Sequence, residues 1–131
     1  MNIRDLEPKG VWTNFDALSQ IPRPSKHEEK VEQYLLDWGK AHNVDVRKDE
    51  TGNIIFTKPA TPGYENRRGV IFQAHMDMVP QKTAETVHDF LTDPIQTEID
   101  GEWVKAKGTT LGADNGIAVA YAMAILASDD V

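Results

Sequence analysis

The sequence predicts an α/β protein, a mixed sheet flanked by helices, and three observations carry that reading. Apolar residues recur at helical spacing in two stretches near the N-terminus. Short apolar runs, alternating or compact and bounded by glycine, proline and asparagine, occupy the middle of the chain. An alanine-rich run of helical character closes it. Helices and strands interleaved over 131 residues make about one domain of the α/β class.

Val11, Trp12, Phe15 and Leu18 form the apolar face of the first helix. Ile21-Pro22-Arg23-Pro24 stops it, because two prolines fix φ and remove amide donors. Ser25-Lys26-His27-Glu28 has the pattern of a capping box, with the serine hydroxyl taking a free amide and Glu28 reaching back. Val31, Tyr34, Leu35 and Trp38, with Ala41 or His42, give the inward stripe of the helix that follows. Val44 and Val46 alternate with charged neighbours as in a strand. Residues 49–53 carry turn chemistry, and Ile54-Ile55-Phe56 returns as a second strand. Val70-Ile71-Phe72-Gln73-Ala74 has the compact apolar character of a central strand covered on both faces. Asp100-Gly101 between residues 95–99 and 103–105 is a two-residue hairpin signal. The last helix starts after the glycine-bracketed Gly112-Ala113-Asp114-Asn115-Gly116 and runs to about Ser128.

Composition narrows the function. Hydrophobic residues are 40% and charged residues 27%, the mix of an ordinary globular domain. Fourteen basic against 21 acidic residues leave a net charge of −7, which repels a phosphate backbone and argues against nucleic-acid binding. Arg67-Arg68 is too short a basic run to reverse that. The longest apolar stretch, residues 117–127, falls short of the roughly 18 residues a membrane span needs, and no secretory signal plan opens the chain. The absence of cysteine excludes disulfides and thiolate metal sites and fits a reducing, cytoplasmic setting.

Ala74-His75-Met76-Asp77 follows the compact apolar run. In an extended chain residues two apart share a face, so His75 and Asp77 point the same way at a strand end, where open α/β sheets bind ligands. A metal-bound imidazole commonly gives its other N–H to a carboxylate; a histidine merely hydrogen-bonded at a strand end has the same spacing. Asp114 alone reads as a helix cap. Together with His75 and Asp77 it makes a plausible part of a divalent-metal site. Glu28-Glu29 falls in a first helical turn, where acidic side chains are favoured structurally. His27-Glu28 does not continue to a second histidine, since position 31 is valine, and His42 and His88 have no spaced partner. Residues 108–116 lack the lysine of a phosphate loop, and no nucleophile elbow is present.

In four segments the chain resembles the N-terminal part of the co-catalytic zinc peptidases, in the aminoacyl-histidine dipeptidase (peptidase D, beta-alanyl-histidine dipeptidase) group. These are residues 21–28 (Ile-Pro-Arg-Pro-Ser-Lys-His-Glu), 49–53 (Asp-Glu-Thr-Gly-Asn), 73–82 (Gln-Ala-His-Met-Asp-Met-Val-Pro-Gln-Lys) and 108–117 (Gly-Thr-Thr-Leu-Gly-Ala-Asp-Asn-Gly-Ile). The resemblance implies that His75 ligates one zinc, that Asp77 is the catalytic acid holding and polarising His75, and that Asp114 bridges two metals. It also implies a cis Asp114–Asn115 bond, two Zn2+ per complete site (cobalt or manganese being alternatives), Xaa-His and other short peptides as substrates, and a homodimeric, cytoplasmic parent.

The family's general-base Glu-Glu pair, its later Asp and His ligands and its inserted domain have no counterpart in this sequence. Residues 1–131 therefore read as an incomplete N-terminal portion of a phosphorylase/hydrolase-like catalytic domain, inactive alone. Two other readings stand beside it: a free-standing binding or interaction module of the same fold, and another member such as an aminoacylase, deacetylase or tripeptidase.

Overall fold

The computed structural model describes residues 1–131. A 3-10 turn over Ile3–Asp5 leads into helix α1 (Lys9–Ser19) and helix α2 (Glu29–Ala41). Strands β1 (Asp45–Lys48) and β2 (Ile54–Thr57) follow, then β3 (Thr97–Asp100), β4 (Trp103–Ala106) and helix α3 (Ala113–Leu126). The α/β class holds. Its β-structure, however, is two separate antiparallel pairs, β1–β2 and β3–β4, where the sequence suggested one mixed sheet.

One cluster forms the core. Val11, Phe15 and Leu18 of α1 meet Ala120 and Met123 of α3, and Val31, Leu35 and Trp38 of α2 join them, each at most 8% exposed. Of the expected apolar faces, Val11, Phe15 and Leu18 of α1 and Val31, Leu35 and Trp38 of α2 are buried, while Trp12 and Tyr34 are half-buried at the core's edge. Ala41 and His42 are exposed instead, with the His42 ring stacked on Trp38 at 4.2 Å between centroids. Helix α2 lies so close to β1 that a Cβ on Gly39 would fall 2.7 Å from Val46 Cγ1.

The turn between β1 and β2 is built by Asp49, whose Oδ1 accepts the amides of Thr51, Gly52 and Asn53 at 2.8–3.0 Å. Asp100-Gly101 makes the second hairpin, with Gly101 at φ +61°.

Two local expectations fail. Ser25 does not cap α2: Lys26 takes a φ of +74°, the helix begins at Glu29, and the Ser25 hydroxyl turns away to Asp77. The expected central strand at residues 70–74 has no strand beside it. Val70, Ile71 and Phe72 are 73%, 93% and 63% exposed, so neither their backbone nor their side chains find the partners that apolar run calls for. Strand-like pairing starts further on, where Met78 bridges Pro24 in parallel.

Candidate active site

Three segments converge at the end of that extended run: residues 23–25 before α2, residues 75–78, and the turn that opens α3. The bracket holding them is Arg23. Its side chain is 1% exposed, with Nη1 donating to Met76 O and Nη2 to Gly112 O, both at 3.0 Å. Its carbonyl accepts the Met78 amide, and the Ser25 amide donates to Met78 O, again at 3.0 Å. One arginine thus ties the two loops that carry the candidate site residues.

That guanidinium explains the glycine bracket around Asp114. A Cβ on Gly112 or on Gly116 would lie 2.7 Å from Arg23 Nη2, and Gly112 also adopts φ +78°. Burial lowers the Arg23 pKa to about 10, while the nearby Asp77 carboxylate opposes the shift, so the group stays cationic at neutral pH.

The three residues expected to carry chemistry come together. His75 Nε2 lies 3.0 Å from Asp114 Oδ1. On the other side of the ring, Nδ1 lies 3.2 Å from Asp77 Oδ1 and 3.1 Å from Asp77 O. Asp77 Oδ2 in turn accepts the Ser25 hydroxyl at 2.5 Å. The Asp114–Asn115 peptide is cis.

Desolvation pulls the His75 pKa down. The hydrogen bond to Asp114, the Asp77 carbonyl and the two carboxylate charges outweigh it, so the pKa lies above its ordinary value. The Ser25 hydrogen bond is the main cause that holds the Asp77 carboxyl below the usual range, against partial desolvation.

The donor set suits a borderline divalent ion. A tetrahedral zinc with nitrogen and oxygen ligands at their usual lengths separates two donors by about 3.3 Å, close to the 3.0 Å between His75 Nε2 and Asp114 Oδ1. Asp114 is 95% exposed, and its carboxylate is open to further contacts. No group of three histidine, cysteine, aspartate or glutamate side chains is gathered for one ion. The residues fit a metal as two corners of its coordination shell, with Asp77 behind the imidazole.

The remaining candidates stand apart. Glu29 starts α2, His27 and His42 are exposed, and His88 packs against Phe90 at 4.5 Å between centroids. Arg23 and Ser25 were missed as site residues; the signal was an arginine set between two prolines and followed by a serine.

No family model matches the chain. It is 54% identical over 129 residues to the cytosol non-specific dipeptidase of Escherichia coli (strain K12), across 98% of the chain. It superposes over 100% of its length on the crystal structure of aminoacylhistidine dipeptidase from Vibrio alginolyticus, with a TM-score of 0.97 and 56% identity. The chain resembles a stretch of these dipeptidases. It spans 27% of the length of each of the two. A tripeptidase from Staphylococcus aureus matches over 90% of the chain with a TM-score of 0.66 and 19% identity, which shows the fold alone. No helix is long and apolar enough to cross a membrane.

Proposed function

We propose that residues 1–131 form the N-terminal portion of the catalytic domain of a zinc-dependent dipeptidase that hydrolyses Xaa-His and other short peptides in the cytoplasm as a homodimer. The supporting observation is the His75–Asp114 pair at 3.0 Å, backed by Asp77, in a chain 54–56% identical to dipeptidases. His75 Nε2 and Asp114 would hold the metal, with Asp114 shared between two ions. Zinc fits the nitrogen and oxygen donors, and cobalt or manganese are the alternatives. When bound, the metal supplies Lewis acidity and a water acidic enough to attack at neutral pH.

The chain's own part is orientation. His75 must present an unprotonated Nε2, so its one proton must sit on Nδ1, and the Asp77 backbone O at 3.1 Å together with Asp77 Oδ1 at 3.2 Å favours this tautomer. The ionised state of Asp77 keeps the Oδ1 acceptor available near neutrality. Arg23 keeps the segment around Met76 and the α3 turn at a fixed separation through its two carbonyl contacts.

The test is hydrolysis of Xaa-His and carnosine-like dipeptides by the intact protein, with and without a chelator. Metal-dependent turnover is expected. Asp77→Asn should retain the fold and lose activity by about 10–100-fold or more, the usual consequence of removing the carboxylate behind a ligating histidine. Absence of turnover on every dipeptide would leave the binding-module reading.

A further inference from the structure

We propose that Ser25 is a positioning residue that aims the Asp77 carboxylate at His75. This rests on the site reading above and extends it to a residue outside the expected set.

The geometry is a chain of contacts. The Ser25 hydroxyl donates to Asp77 Oδ2 at 2.5 Å, Asp77 Oδ1 lies 3.2 Å from His75 Nδ1 beside the Asp77 backbone O at 3.1 Å, and His75 Nε2 faces Asp114 Oδ1 at 3.0 Å. Each Asp77 oxygen has a different partner, so the carboxylate cannot rotate without losing one of them. Met78 O also lies 3.2 Å from the hydroxyl. A serine has a single proton, and the shorter bond to a charged acceptor takes it.

Ser25 is itself held. Its amide donates to Met78 O at 3.0 Å, Pro24 pairs with Met78, and the preceding Arg23 is clamped by Met76 O and Gly112 O. The hydroxyl is carried on backbone registered to the same segment that bears Asp77. Helix α2 does not use it: no side chain caps that helix, and the Glu28 carboxylate accepts the Lys26 amide instead. A capping serine would face the helix; this one faces the acid.

Without the hydroxyl, Oδ2 loses its anchor, the carboxylate turns more freely, and His75 is held less well in the Nδ1–H tautomer. The test compares Ser25→Ala and Ser25→Thr in the intact protein by two readouts. The first is the imidazole nitrogen chemical shifts of His75 in metal-free protein, read at a pH where the ring is neutral, which report tautomer and hydrogen bonding. The second is kcat and KM on a dipeptide in the metal-loaded enzyme. Ser25→Ala should move the His75 shifts toward those of an unpaired imidazole and lower kcat about tenfold, at the low end of the usual effect of such groups, with KM within twofold. Ser25→Thr, which keeps the hydroxyl, should restore both.

Unchanged His75 shifts in Ser25→Ala overturn the proposal, whether or not activity falls, because a loss without them is general destabilisation. Moved shifts with unaltered kcat also overturn it. Failure of the dipeptidase reading looks different. Wild-type protein would then hydrolyse no dipeptide, while the metal-free shifts would still report whether Ser25 orients the Asp77–His75 pair.

Discussion

A guanidinium at 1% exposure needs its charge and its donors accommodated; two loop carbonyls take Nη1 and Nη2 of Arg23 and the field of Asp77 favours its charge, while Nε is buried without a hydrogen-bond partner. Gly116 is part of that arrangement, since a Cβ there would meet Nη2 at 2.7 Å and Phe15 Cε2 at 3.3 Å. The far end of an arginine usually moves aside at little cost, but this one is buried and hydrogen-bonded twice. Gly116→Ala should therefore destabilise the protein by about 1–3 kcal/mol, as overpacking does, read as a lowered denaturant midpoint. Asp49 gives a pH test. Its hydrogen bonds from Asn53, with the Thr51 and Gly52 amides, hold its pKa below 3.8 against slight desolvation. A depressed carboxyl binds fewer protons folded than unfolded, so its contribution is present above the unfolded value and fades as pH falls through the folded one. Asp49→Ala should lower the melting temperature at pH 7, and the difference from wild type should shrink below about pH 3.8.

Between elements, the tightest approach is α2 on β1–β2. A Cβ at Gly39 would sit 2.7 Å from Val46 Cγ1, 2.8 Å from Val46 Cβ and 3.0 Å from Phe56 Cε1. The stem of Val46 is fixed by its strand, so the helix itself would have to lift. Gly39→Ala should cost about 1–3 kcal/mol and disturb the edge-to-face contact of Trp38 with Phe56, now 6.0 Å between centroids; tryptophan fluorescence and thermal melts would register both. At the other end of the fold, Lys58 Nζ donates to Ile125 O at 3.1 Å and to Ser128 O, placing a cation at the C-terminal end of α3.

On the scale of the whole molecule, residues 70–72 form a run of exposed apolar side chains, Ile71 the most exposed of the three at 93%. An extended apolar segment with no strand beside it is open to pairing with another copy. Residues 1–131 purified alone should self-associate with rising concentration in sedimentation velocity, and Ile71→Lys should shift the population toward monomer. The same chain should not hydrolyse dipeptides, even with zinc added. A catalytic zinc takes three protein ligands plus water, whereas His75 and Asp114 are the pair gathered in this chain. Stoichiometric tight zinc binding, or dipeptide turnover by the isolated chain, would contradict this.

The amino-acid pattern by itself determined α1, α2, α3 and both hairpins, because periodicity and turn chemistry are local: Val11, Phe15 and Leu18 announce a helix face, and Asp100-Gly101 announces a turn. It also singled out His75, Asp77 and Asp114, since residue type and spacing limit what those groups can do. Tertiary structure alone decided where Ser25 points. A serine three residues before a glutamate is a capping box on paper, and the Lys26 turn with its Met78 pairing sends the hydroxyl to Asp77 instead. The burial of Arg23 was decided in the same way, as it lies in irregular chain where no period reports an inward face. Residues 70–74 show the converse: their composition is that of a covered strand, but strand pairing requires a neighbour, and none lies alongside.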